Sequence, residues 1–292
     1  MHQKLWYNKA MEEKNICAKN RIRETLKISR REGLLVALAV LILLVMTACL
    51  VLARDEAKEP LVPRETQWTN VYDPDAFFLD EKGRLCYEDT RWTSLIGVDV
   101  SSYQNEVNWK QVAADGVELA MIRLGYRGYS SGQMNLDPCY EDNVKGAGDA
   151  GLYVGVYFFS QAVSEEEARD EARFVLRKIR GKKIDGPIAY DMEYIDGAYR
   201  INSLTVEEKT KIAEAFCQII EENGYEAMIY GNPTWFMEDV NVTEMTHHGI
   251  WLAHYTEMTQ WPYDYWMWQY TDQGSVAGIE GPCDLNIWLQ GK

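Results

Sequence analysis

The chain reads as an α/β protein built on a parallel sheet, open or closed, for which a βα barrel whose last part is strands only is a fit, preceded by one N-terminal transmembrane helix. Three features of its 292 residues lead there. From Leu95 onward, short runs that are apolar throughout alternate with amphipathic helical stretches, as parallel strands covered on both faces require. After about residue 249 the helices stop, and strands follow one another through short loops. Gly33 to Ala53 carries no charged residue and is long enough to cross about 30 Å of hydrocarbon as a helix.

Residues 1–32 form a basic segment, with Arg30 and Arg31 close to the apolar run. Residues 1–53 hold 9 Lys and Arg against 4 Asp and Glu, which leaves 21 against 41 for the rest. By the positive-inside rule the N-terminus stays in the cytoplasm, 33–53 is a signal anchor, and everything beyond is exported to the outer face of the cell membrane. A rival reading takes Met46-Thr47-Ala48-Cys49 as a lipoprotein cleavage box with Cys49 lipidated. Residues 54–94 are mixed in charge, contain Pro60, Pro63 and Pro74, and lack sustained periodicity, so they read as an extracellular stalk or linker. Residues 95–292 are then the globular domain. Its acidity argues against nucleic acid as a partner, since phosphate binding relies on clustered Lys and Arg.

Within the domain the strands are expected at Ile96–Val100, Leu119–Leu124, Tyr153–Phe159, Ile188–Asp191, Ala227–Tyr230, Gly249–Ala253 and Trp266–Gln269, with another around Asp284. Ser164 with Glu167, and Thr205 with Glu208, are capping boxes opening helices that end near Arg180 and at Gly224. In a βα barrel the site lies at the carboxyl ends of the strands.

The acids fall there. Asp191 and Glu193 end the apolar run Pro187-Ile188-Ala189-Tyr190, and residues two apart on a strand point to one face. Two carboxyls held together have their pKa values driven apart, which supplies an acid and a base from one residue type. That points to glycoside hydrolysis, although such a pair also occurs as a solvated rim or a helix cap. Asp99, in Gly97-Val98-Asp99-Val100-Ser101, and Asp284, in Pro282-Cys283-Asp284-Leu285-Asn286, are further acids at strand ends. The chain has 10 Trp and 18 Tyr, many in its last third, and aromatic faces stack on sugar rings while most buried ones are core.

Other chemistries find little support. The four histidines show no zinc-type spacing, and no nucleophile elbow, Walker loop or dinucleotide fingerprint follows a strand. Cys86, Cys139, Cys217 and Cys283 lack metal-ligand spacing and read equally as buried thiols or as disulfide partners.

Taken in order, the motifs resemble the family 25 glycoside hydrolases, the Chalaropsis-type lysozymes or N-acetylmuramidases, over about Leu95 to Trp288. Gly97-Val98-Asp99-Val100-Ser101 matches the family's Gly-x-Asp-x-Ser, Ala120 to Gly125 its second strand, and Tyr190-Asp191-Met192-Glu193 its Asp-x-Glu strand. Trp251-Leu252-Ala253-His254-Tyr255, Trp268-Gln269-Tyr270 and Val276 to Asn286 match the later motifs. Asn143 to Phe159 resembles the segment that ends in Gly-x-Tyr-His-Phe, with Phe158 standing where the family has His. The resemblance implies a TIM-like barrel of five βα units plus three further strands, cleaving the β-1,4 bond between N-acetylmuramic acid and N-acetylglucosamine in peptidoglycan, with no cofactor and no metal. Carried over by position, Glu193 is the general acid and Asp191 stabilises the oxocarbenium-like centre, directly or through the substrate's acetamido group. Asp99 and Asp284 complete the acidic cleft, and Tyr157, Tyr230, Trp251 and Tyr255 are sugar contacts. The anchor suggests local wall remodelling, with secretion or division machinery as a partner. Two other readings stand beside it: a non-catalytic wall-binding scaffold, and a hydrolase of another N-acetylated glycan.

Overall fold

The computed structural model describes residues 69–197 and 200–292. The segments 1–32 and 33–53, and residues 54–68 of the expected stalk, lie outside the described residues. Among those described, no helix is long and apolar enough to cross a membrane.

The distal part of the expected stalk is corrected: residues 69–94 belong to the folded domain. Strands β1 (Phe77–Leu79) and β2 (Leu85–Tyr87) form an antiparallel hairpin anchored by buried Tyr72 and Tyr87. The Tyr72 hydroxyl donates to the Tyr265 carbonyl at 2.9 Å, and Asn70 Nδ2 donates to the Trp261 carbonyl at 3.1 Å. Strands of three residues are too short to show a period, so mixed charge and prolines masked the aromatic anchors.

The barrel follows the expected order. Its parallel strands are β3 (Trp92–Val100), β4 (Leu119–Arg127), β6 (Tyr153–Ser160), β7 (Ile188–Met192), β8 (Ala227–Gly231), β9 (Gly249–Ala253) and β10 (Met267–Gly274), while β5 (Met134–Leu136) only lengthens the end of β4. The last strand, β11 (Cys283–Gly291), runs antiparallel to both β10 and β3. Pairing of β3 with β4 closes the ring at eight strands.

Helices α1 (Trp109–Ala114), α2 (Tyr140–Asp149), α3 (Glu165–Ile179) and α4 (Val206–Glu222) follow the first four parallel strands. The fifth βα unit differs from expectation: its helix is a single π turn at Trp235–Asp239. Thr205 and Glu208 form the expected reciprocal box at the start of α4. At α3, Ser164 accepts from the Glu167 amide as expected, but the Glu167 carboxylate caps Val163 N–H and pairs with Arg200 instead of returning to Ser164. Gly224 stops α4 with φ +83, a conformation that suits a residue without Cβ.

Two apolar layers result. Leu119, Met121, Ala189, Met228, Trp251, Trp266, Met267 and Trp288 fill the barrel interior, and a larger cluster lies between the strands and helices. Gly155 is fixed by the inner layer, since a Cβ there would lie 2.3 Å from Met121 Sδ and 2.7 Å from the Pro187 carbonyl. Gly155→Ala is therefore expected to destabilise the domain by about 1–3 kcal/mol, the usual range for overpacking. Thermal unfolding checks it, and an unchanged Tm would contradict this view of the interior. Cys86, Cys139, Cys217 and Cys283 are all free thiols.

Candidate active site

Each predicted acid arrives at one end of the barrel for a topological reason. Asp99 is the penultimate residue of β3, Asp191 the penultimate residue of β7, and Glu193 follows β7 directly. Because β11 runs the opposite way, its beginning lies at the same end, and Asp284 pairs in register with Asp99. Asp191, Tyr230 and Trp251 form a lateral row across β7, β8 and β9. A cleft of about 830 Å³ is lined by Asp99, Asp191, Glu193, Asp284, Tyr157, Tyr230, Trp251 and Tyr255 together. The expected catalytic and sugar-contact residues thus share one cavity. A larger surface hollow of about 1180 Å³ beside α1 and α2 holds none of them.

The four carboxyls resolve into two pairs. Asp191 and Glu193 are within hydrogen-bonding reach of each other, and both are pushed above the ordinary carboxyl range, first by burial. For Asp191 the neighbouring Glu193 charge adds to the rise; for Glu193 the charge of Asp99 adds to it while the hydrogen bond with Asp191 opposes it. Asp191 is 4% exposed, whereas Glu193 stands at the exposed lip. Asp191 Oδ1 is buried with no hydrogen-bond partner among the described residues. Two acids this close, one of them buried, disfavour ionising together, so their titrations are linked.

The second pair is Asp99 and Asp284. Burial raises both, Asp284 to about 8 with the Asp99 charge as the next cause. Asp99 is held by two amides: Gln269 Nε2 and Asn286 Nδ2 each donate to its Oδ2 at 2.8 Å. Those amides are oriented in turn. Trp251 Nε1 donates to Asn286 Oδ1 at 2.8 Å, while the hydroxyls of Tyr230 and Tyr255 donate to Gln269 Oε1 at 2.9 and 2.8 Å. A locked network of this kind fixes a carboxylate without relying on a counter-charge.

Sequence reasoning missed Gln269, Asn286 and the cation Arg123. Arg123 Nε donates to Asp137 Oδ2 at 2.8 Å, and its guanidinium lies 5.0 Å from the centre of the Tyr103 ring. The signal was present, since each is a polar residue inside an apolar strand, and such a residue needs partners when buried. Gln161 also escaped notice; its Nε2 donates to the Glu193 carbonyl at 2.9 Å and fixes the chain beyond β7.

The aromatic cluster divides sharply. Trp235, Trp261, Tyr265, Trp266 and Trp268 are buried in the core. Trp251 is 1% exposed with its N–H committed to Asn286, so it forms the cleft floor and cannot offer a free stacking face. Tyr255 is 52% exposed and does present its ring. Phe158, the departure from the resembling pattern, points away from the cleft and packs on Phe174 of α3 at 6.0 Å between ring centres. That position therefore has no direct part in selecting a ligand. The cleft lining contains neither His nor Cys.

Comparison with known proteins bears on the family and the fold. The profile of Glycosyl hydrolases family 25 matches residues 98–279. The Autolytic lysozyme of Clostridium acetobutylicum is 26% identical over 196 residues, covering 67% of this chain and 56% of that protein. Lysozyme M1 of Streptomyces globisporus is 24% identical over 205 residues, covering 65% and 66%. Among solved structures, the modular autolysin LytC of Streptococcus pneumoniae in complex with a synthetic peptidoglycan ligand superposes with a TM-score of 0.61 at 23% identity, covering 77% of this chain and 52% of that one. The chain thus spans just over half the length of the first lysozyme and of the autolysin, and the likeness to the autolysin is one of fold.

Proposed function

This chain belongs to the glycosyl hydrolases of family 25, and on that premise we propose that its barrel is a muramidase, cleaving the β-1,4 bond between N-acetylmuramic acid and N-acetylglucosamine in peptidoglycan. The observation that carries the reading is the Asp191–Glu193 pair, two carboxyls within hydrogen-bonding reach and with raised pKa values in an open cleft, Asp191 buried in its wall and Glu193 at its lip. The upward shift of both acids favours a proton on the pair, as general-acid catalysis needs.

Glu193, at the lip, delivers that proton to the leaving glycosidic oxygen. Delivery leaves the pair doubly ionised beside the positive charge developing at the anomeric carbon, so attraction is greatest in the transition state. Asp191 Oδ1, without a hydrogen-bond partner among the described residues, accepts the N–H of the substrate's acetamido group and holds that group under the anomeric carbon as internal nucleophile. Displacement by the internal nucleophile followed by attack of water inverts the anomeric centre twice, so the configuration is retained. The negative charge of Asp99, held by its two amide donors, favours the proton on the Asp191–Glu193 pair, and Asp284 stands beside Asp99. Tyr157, Tyr230 and Tyr255 line the sugar path, with Trp251 beneath it. The chemistry needs no cofactor.

Behind the expected anchor at 33–53 the domain would work at the outer face of the membrane on nearby wall, serving local remodelling alongside secretion or division machinery. The sign change of charge across that segment is the support. Proteinase treatment of intact wall-free cells should remove the domain and spare the N-terminus; protection of the domain would overturn that topology.

The bond assignment is tested by digesting purified peptidoglycan with the full chain, reducing new ends with borohydride and identifying the sugar alcohol. Reduced muramic acid is expected. Reduced glucosamine would mean the opposite bond is cut, and binding without any release would favour a scaffold.

A further inference from the structure

At the opposite end of the barrel from the cleft, His247 and His248 immediately precede β9 and meet the outer face of α4. Their spacing in the sequence carries no metal signature, because the third member, Glu214, comes from a different element. We propose that Glu214, His247 and His248 form a binding site for a divalent transition cation, with Zn²⁺ as the best match.

Four observations carry the assignment. One ligand atom from each residue lies within 4.8 Å of the other two. His247 Nε2 and His248 Nε2 lie 3.3 and 3.4 Å from Glu214 Oε2, close to the edge of a tetrahedron built with bonds of about 2.0–2.1 Å to nitrogen and oxygen. His248 is 2% exposed, and its Nε2 faces the Glu214 carboxylate as an ion pair without a well-formed hydrogen bond among the described residues. Its other nitrogen, Nδ1, lies 2.6 Å from Glu221 Oε1. That carboxylate fixes the ring and its tautomer, as outer partners of metal-bound histidines do.

The donor set discriminates. Two imidazoles and one carboxylate suit Zn²⁺ and its transition-series neighbours, whereas Ca²⁺ and Mg²⁺ require oxygen ligands. His247 is exposed and Glu214 half-buried, so an ion can enter and water can take the fourth position. Bound there, the ion ties α4 to the start of β9, the strand that carries Trp251. Since the cleft lies at the other barrel end, the site is one of stability and not of chemistry, and it stands whether or not the barrel cleaves glycan.

The test titrates Zn²⁺ into the full-length chain beside Glu221→Gln, Glu214→Gln and His247→Ala, following stoichiometry by calorimetry and Tm in parallel. The wild type should bind one ion that the His247→Ala and Glu214→Gln chains do not, with a Tm rise on binding that a chelator reverses. Glu221→Gln should weaken that site by about 10–100-fold. Ca²⁺ should give no effect. His247 is exposed, so its substitution leaves the fold intact and serves as the decisive variant. Absence of Zn²⁺ binding by the wild type, or binding unchanged in both ligand variants, would overturn the proposal.

Discussion

Glu193→Gln is expected to lower the rate of peptidoglycan cleavage by about 10²–10⁴-fold, the usual contribution of a positioned acid, which corresponds to about 2.7–5.4 kcal/mol of barrier. Gln keeps the shape of Glu and can still hydrogen-bond Asp191, so KM should stay close to wild type. Asp191→Asn is expected to reduce kcat by a comparable factor for a different reason: the amide can no longer offset positive charge or accept the acetamido N–H through a charged oxygen. Steady-state kinetics on soluble wall fragments separate the outcomes. A Glu193→Gln enzyme whose kcat is intact while KM rises would mean that Glu193 binds glycan without donating a proton.

Acidification from pH 8.5 to pH 5.5 is expected to raise the domain's Tm. The sign follows from carboxyls whose folded pKa lies above the unfolded one. Asp284 goes from 3.8 to about 8 and buried Glu171 from 4.5 to about 7, each raised first by burial. Between those limits the folded state binds protons that the unfolded state has released, so stability falls as pH rises through the window. Asp99, Asp191 and Glu193 shift in the same direction. Asp284→Asn should accordingly stabilise the domain above pH 7 by about 0.5–2 kcal/mol while lowering activity, the trade expected at a strained functional site. Unfolding curves across pH check it. A Tm that rises with pH over this range would show that the cleft acids are ionised and stabilised in the folded state.

Much of this arrangement was legible from residue order, and the exceptions have physical causes. The strands that carry Asp99, Asp191 and Asp284 are apolar runs with an acid near one end, so both the element and the site position could be read from a single segment. Thr205 and Glu208 likewise announced the start of α4 within four residues. What failed was long range. Gln269 and Asn286 matter because they converge on Asp99 from strands remote in sequence, and no local pattern encodes that meeting. The hairpin at residues 77–87 was hidden because its strands are short and its anchoring partners, Trp261 and Tyr265, come late in the chain. Trp251 and Tyr255 looked alike as sugar contacts, yet burial makes one a floor and leaves the other a rim. The Glu214–His247–His248 group is the extreme case, because its members only become neighbours when α4 packs beside the start of β9.

The division of labour between Glu193 and Asp191 is tested most directly with a leaving group that needs no proton. A dinitrophenyl β-glycoside of the same N-acetylated sugar departs unaided, so a variant lacking only the acid keeps its first chemical step. Single-turnover release of dinitrophenolate by Glu193→Gln should approach the wild-type rate while its peptidoglycan cleavage stays depressed, and Asp191→Asn should be slow on both substrates. Equal depression of both substrates by Glu193→Gln, or rescue of Asp191→Asn instead, would contradict the roles assigned to the pair.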